Sequence, residues 1–265
     1  MLRDITLGQY YPIDSTIHKL DPRFKILASF AYIIALFIVK NIQTYIVVTG
    51  FLTLIILLSK VPLKYILRGL RPILIIIFLT FGINIFMTQG EPLYNLGPLT
   101  ITREGIEMAV FMALRLVFLI IGTSLLTLST SPIELTDGIE RVLNPFKRIG
   151  VPAHELAMMM TIALRFIPTL LEETDKIMKA QMARGADFES GNLVKRAKSL
   201  IPLLVPLFIG AFRRADDLAM AMEARCYRGG ENRTRMKQLK FYRRDYIATA
   251  AMIVFVACIV IIRFN

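Results

Sequence analysis

Four stretches of this chain, Ile26 to Val39, Tyr45 to Ser59, Pro72 to Met87 and about Gly105 to Leu128, are almost wholly apolar, and a fifth lies at Tyr246 to Ile262. Each approaches the roughly 20 residues that one helix needs to cross a bilayer. Within lipid only helices and closed barrels satisfy the backbone, and these runs lack the period-2 alternation of a barrel strand. The expected fold is therefore all-α and polytopic, with about five transmembrane helices. A hydrophobic content of 55% agrees, since a soluble core needs less.

The net charge of +12 has two readings, a nucleic-acid surface or the basic bias of cytoplasmic loops. No Arg/Lys stripe interleaves with aromatics as a nucleic-acid groove requires, so the second is preferred and no nucleic-acid partner is expected. The link "KVPLKYILRGLR" carries Lys60, Lys64, Arg68 and Arg71 without one acid, whereas "TQGEPLYNLGPLTIT" holds Glu91 and no base. Positive-inside logic places the first link in the cytoplasm and the second outside. Five spans then give a cytoplasmic N-terminus, an external C-terminus and a cytoplasmic stretch over 129–244. That stretch carries 20 of the 32 Lys and Arg residues and 13 of the 20 acids. The expected organisation is a four-span bundle over 1–128, cytoplasmic helices over 129–244 and a last span over 245–265. The segment "MLRDITLGQYYPID" has no apolar run after its first charge, so no cleaved signal peptide is expected.

Leu156–Leu171 and Leu200–Gly210 could pass for two further spans. The first contains Arg165 and Pro168, the second is short and holds Pro202 and Pro206, and the link between them carries six bases. A charge in lipid costs several kcal/mol. Both are read instead as long amphipathic cytoplasmic or interfacial helices, with a short helix before them. Leu156, Met160, Ala163, Ile167, Leu170, Met178 and Met182 recur at steps of three or four in the first stripe. In the second, Leu193, Ala197, Leu200, Leu204, Leu207, Ala211, Ala215, Leu218 and Met222 do the same. Each helix should run roughly 45–50 Å, kinked rather than ended by its prolines.

The two helices end alike, in Ala183-Arg184-Gly185 and Ala224-Arg225-Cys226, 225 − 184 = 41 positions apart. Alanine keeps a last turn slim, arginine suits a helix C-terminus and offers a bidentate fork, and glycine accepts the left-handed closing conformation. One such end is ordinary capping. Two at matching ends of paired helices suggest similar sockets on a partner.

These twin motifs, with "HKLDPRFK" (His18 to Lys25) before the first span and "ARCYRGGENRTRMKQLKF" from Ala224, resemble the T component of energy-coupling factor (ECF) transporters over essentially the whole chain. The resemblance implies a multi-pass scaffold in a prokaryotic cell membrane. It joins two cytoplasmic ABC-type ATPases to a membrane-embedded S component that captures a vitamin or metal ion. It implies that Arg184 and Arg225 dock into grooves on the ATPases, which hold the ATP and Mg, while the chain itself binds no cofactor and is no enzyme. Met160, Ile167, Leu200, Leu204 and Leu207 are the implied S-component contacts, although Met and Leu at such spacing more often form plain core. Cys226 stands where that family usually has glycine, which questions the tight cap there.

No phosphate loop of the form G-x-x-x-x-G-K-[ST] is present, so the chain alone is not expected to hydrolyse ATP. His18 and His154 lack partners at metal spacing, and Cys226 and Cys258 form neither a metal spacing nor an evident disulfide pair. Asp21-Pro22 reads as a turn into the first span. Glu172, Glu173 and Asp175, with Lys176 and Lys179 following, read as a solvated, ion-paired helix face. Arg115, inside the fourth span, is either a functional charge or one satisfied near the outer interface or by a bundle carbonyl. It leaves open an alternative, a self-sufficient secondary carrier with its own substrate site, using Arg115 and the long helices as gates.

Overall fold

The computed structural model describes residues 10–39, 41–96, 99–188, 192–230 and 239–264. By their contacts they fall into two units. One takes in the chain up to Val142 and resumes at Gln238; the other runs from Leu143 to Lys237.

The first unit is a membrane bundle of α1 (Pro22–Ile38), α2 (Ile42–Ser59), α3 (Leu63–Leu70), α4 (Leu74–Met87), α5 (Arg103–Ser129), α6 (Pro132–Leu143) and α10 (Arg243–Phe264). The chain is an all-α polytopic membrane protein with one small exception. The acidic loop forms a hairpin, β1 (Pro92–Leu96) paired antiparallel with β2 (Leu99–Thr102). The sequence reading takes it as a loop: Leu99–Thr102 alternates apolar and polar residues, but Pro92–Leu96 does not, so no paired strand signal stands out.

Hydrogen bonds fix the direction of each helix. Asp21 caps α1, accepting from the Arg23 N–H at 2.9 Å, and its own N–H donates to Asp245 Oδ1 at the start of α10. Lys25 Nζ donates to the Ser129 carbonyl at the end of α5, 2.8 Å away, and the Thr16 hydroxyl donates to Leu58 O near the end of α2. One face of the bundle therefore gathers the starts of α1 and α10 and the ends of α2 and α5. At the other, the Thr102 hydroxyl donates to Thr88 O and accepts from the Gly105 N–H, joining the end of α4 to the start of α5. The segments α1, α2, α3–α4, α5 and α10 thus alternate in direction.

The core is apolar and tight. Leu36, Val48 and Ile259 are fully buried, and the Phe51 and Phe255 rings stack with centroids 4.0 Å apart. Tyr32 and Tyr45 reach into it but keep their hydroxyls bonded to the Phe118 and Phe111 carbonyls, as burial of a phenol requires. A Cβ at Gly122 would sit 2.2 Å from the Tyr32 ring, so glycine is what lets α1 approach α5. The outside is equally apolar: Phe30, Ile75 and Phe78 are 62, 77 and 71% exposed. Such a surface is stable only against lipid or another apolar partner.

Five helical stretches among the described residues are long and apolar enough to span: α2, Leu63–Met87, α5, α7 (Ala153–Ala183) and α10. The number agrees with expectation and the membership differs. α1 has only 17 residues, and α7, read from sequence as non-spanning, qualifies by length and composition. Because α5 ends and α10 begins at the same face of the bundle, the chain between them crosses a membrane an even number of times. Among the described residues the companion span for α7 would be α9 (Ile201–Ala224), which carries Arg213, Arg214, Asp216 and Asp217.

The second unit comprises a 3-10 turn (Asn144–Ile149), α7, α8 (Leu193–Ser199) and α9. The boundary at Leu143 leaves α6 with the bundle, where Gly138 lies close to Pro22 and Ile26, whereas the sequence reading divided the chain at 129. At about 46 Å for its 31 residues, α7 has the expected length. The second long helix does not. It breaks at Leu200, because Pro202 has no N–H to donate to the carbonyl one turn back, and α9 restarts with Pro202 in its first turn. Pro168 and Pro206 stay inside their helices. The Leu193 side chain, residues 231–238 of the second quoted motif and Met1 to Gln9 lie outside the described residues.

Candidate functional site

Both Ala-Arg motifs close their helices with the same hydrogen bonds. At the end of α7 the Gly185 N–H donates to Met182 O and the Ala186 N–H to Gln181 O, with Gly185 at φ +88°. At the end of α9 the Cys226 N–H donates to Glu223 O and the Tyr227 N–H to Met222 O, with Cys226 at φ +56°. Each is a Schellman closure with the arginine as its last half-helical residue. Cys226 therefore does not loosen the cap; it takes the left-handed conformation that glycine would have taken. Ala183, Arg184, Gly185, Ala224, Arg225 and Cys226 are all exposed. A guanidinium on a slim, exposed last turn is open to a partner, and its own helix dipole favours the charge there.

The two helices run antiparallel. Gln181 Nε2 donates to Pro202 O, Glu173 pairs with Arg214, and the Tyr227 hydroxyl donates to Met158 Sδ at 2.9 Å, with the His154 ring 3.3 Å away. Each helix end is thus braced by the start of the other. Glu173 lies 184 − 173 = 11 residues before Arg184, and Arg214 lies 225 − 214 = 11 before Arg225. The ion pair sits midway, with each arginine about 16 Å along its helix in the opposite direction, so the tips are roughly 30 Å apart. Close approach at this point is allowed by Gly210, where a Cβ would stand 3.1 Å from Glu173 Oε1.

Between this ion pair and Arg225 the helices enclose a cleft of about 300 Å³ lined by Ile162, Phe166 and Leu170 from α7 and by Ala211, Ala215 and Leu218 from α9. It opens near the tip into a groove of about 470 Å³ beside Arg225, Cys226, Tyr227 and Arg228. The later half of the expected α9 stripe does face α7. Of the expected α7 stripe Leu170 lines the cleft, whereas Met160 and Ile167 lie roughly 100° around the helix from Ile162 and Phe166, and are half-buried. Leu207 is half-buried too, while Leu200 and Leu204 are 45 and 43% exposed.

The family model described as "Cobalt transport protein", CbiQ, matches residues 14–236. The chain is 65% identical over 264 residues to the energy-coupling factor transporter transmembrane protein EcfT of Clostridium kluyveri, covering 99% of this chain and 97% of that one. The chain belongs to the EcfT family. Its likeness to the EcfT of Thermosediminibacter oceani is 64% over 256 residues (96 and 97% of the two chains), and to that of Bacillus subtilis 46% over 264 residues (99 and 100%).

In this EcfT-family chain the other candidates are engaged by neighbouring residues. Arg115 Nη2 donates to Val39 O at the end of α1, 3.0 Å away, and its guanidinium lies over Phe37. A bundle carbonyl thus meets part of the charge, as one of the readings left open has it, while the buried Nε has no hydrogen-bond partner among the described residues. His18 bonds through its ring to the Ser15 hydroxyl and the Tyr11 carbonyl. Burial, with the nearby Lys25 charge, holds its pKa below the ordinary value. The "LDPRFK" segment is more than a turn: Arg23 Nη2 donates to Leu239 O and stacks on Phe241, pinning the chain that leads into α10. Glu173 corrects the reading of a solvated acidic face, since its partner lies across the helix pair on α9. The Glu173–Arg214 pivot and the Tyr227 brace were missed. The shared spacing of 41 between Glu173 and Arg214, equal to that between the tips, was a signal for the first.

Proposed function

We propose that this chain is the transmembrane scaffold of an ECF-type ABC importer, coupling ATP hydrolysis by two cytoplasmic ATPases to uptake of a vitamin or metal ion through an S component. The observation that carries the proposal is the placement of Arg184 and Arg225. Two equivalent exposed arginines at opposite ends of one braced helix pair suit two copies of one kind of socket, one on each ATPase. A single socket would not need tips about 30 Å apart. Nucleotide and Mg belong to the ATPases, so the chain contributes no catalytic group.

The mechanical step follows from the pivot. When bound ATP draws the ATPases together, the tips move with them, and the pair turns about the Glu173–Arg214 contact. The start of α9 lies across that pivot from Arg225, so it swings the other way. Its exposed Leu200 and Leu204 form the surface that would carry the displacement to the S component. Positive-inside bias sets the face bearing Lys60 to Arg71 and the tips in the cytoplasm, and the β1–β2 hairpin outside.

Arg184→Glu combined with Arg225→Glu tests this. The double variant should insert normally but fail to co-purify either ATPase in mild detergent, and each single variant should weaken retention. Wild-type recovery of both ATPases by the double variant would overturn the assignment.

A further inference from the structure

The short helix α3 does not belong to the ATP-coupling apparatus, yet it carries the most one-sided charge in the bundle. Lys64, Arg68 and Arg71 follow at steps of four and three, which places them on one helix face, and Lys60 precedes them in a left-handed C-cap at φ +55°. All four are exposed. Among the described residues no carboxylate forms an ion pair with any of them, and residues 60–71 contain no acid. Arg68 instead lies over the Tyr65 ring, which is itself in contact with Tyr11.

The rest of α3 shows what lies beside that face. Ile66 is fully buried and Val61 nearly so, locking the helix into the bundle core. Leu63 and Leu67, flanking the cations, are 59 and 54% exposed, and the chain passes directly into the apolar span α4. A helix with one edge in the core, one edge of exposed leucines and one cationic face fits the bilayer's headgroup layer. There the leucines meet acyl chains while the cations meet phosphates. General positive-inside bias calls for bases in the link, but not for their alignment on one face beside exposed leucines.

We propose that α3 with Lys60 forms a binding site for the phosphate headgroup of an anionic phospholipid, held by Lys64, Arg68 and Arg71. The purified full-length chain is reconstituted in nanodiscs of phosphatidylcholine containing spin-labelled phosphatidylglycerol or spin-labelled phosphatidylcholine, and the motionally restricted fraction of each is measured. The wild type should prefer phosphatidylglycerol. The variant Lys64→Gln/Arg68→Gln/Arg71→Gln should lose that preference by roughly fivefold per charge removed. A second triple, Arg141→Gln/Arg148→Gln/Arg244→Gln, removes the same charge elsewhere and should keep it. Thermal unfolding in pure phosphatidylcholine checks that both variants are folded. Equal loss in both triples would reduce the effect to diffuse attraction and overturn the site. So would displacement of the lipid by inorganic phosphate, which would mark a free-anion site. Unchanged lipid preference with loss of co-purifying ATPases would instead make the patch a protein contact.

Discussion

Cys226 stands at φ +56°, a conformation that costs an L-residue with a Cβ about 1 kcal/mol or more. Its counterpart Gly185 occupies the same place at φ +88° with open space around it. The same closure is therefore made with less strain at one tip than at the other. Cys226→Gly should stabilise the purified protein by about 1 kcal/mol, a rise of about 2–4 °C in its unfolding temperature. Gly185→Ala should lower it by a similar amount. A fall on Cys226→Gly would mean that the thiol makes a contact the cap does not explain. Both tips were legible in the sequence because a capped helix end is local chemistry. That Cys226 could take glycine's place was not, because a Cβ disfavours positive φ and the residue type alone argues against the cap.

At the scale of elements, the instructive misreading concerns the long helices. Periodicity identified both, and the C-terminal half of the α9 stripe, from Ala211 to Met222, does line the cleft. It held only in part on α7, at Leu170, where Met and Leu on several faces let more than one stripe be drawn, and the position of α9 chooses between them. It failed at Leu200, where the missing N–H of Pro202 breaks a pattern that is otherwise continuous. The pivot carries its own prediction. Glu173→Arg or Arg214→Glu should each broaden the distance distribution between spin labels at positions 183 and 224, and the charge-swapped double variant should restore it. Half-exposed on both sides, the pair should show a coupling energy of about 1 kcal/mol in a double-mutant cycle. Single variants with the wild-type distribution would show that the packing at Gly210, not the charges, sets the angle.

For the whole molecule, the bundle's connectivity requires that the chain between α5 and α10 begin and end on one side. The proposed function sets the basic face inward and the Arg225 tip in the cytoplasm, and the exposed Cys226 beside it would report on this directly. In a Cys258→Ser background, a membrane-impermeant maleimide should leave Cys226 unlabelled in intact cells and label it in inverted vesicles. Labelling in intact cells would reverse the orientation and remove the tips from any cytoplasmic ATPase.

Apolar run length without a period of two determined the all-α membrane class, since within lipid only helices and closed barrels satisfy the backbone. The helix-end chemistry determined the paired Ala-Arg tips, since a cap depends on its own last turn. Tertiary structure alone decided that the tips face opposite ways, that Glu173 answers Arg214, and that Lys25 and Asp245 tie the ends of α1, α5 and α10. Each of those depends on which residues meet across helices, and a one-dimensional pattern of polarity carries no record of which face of a helix its neighbour will occupy.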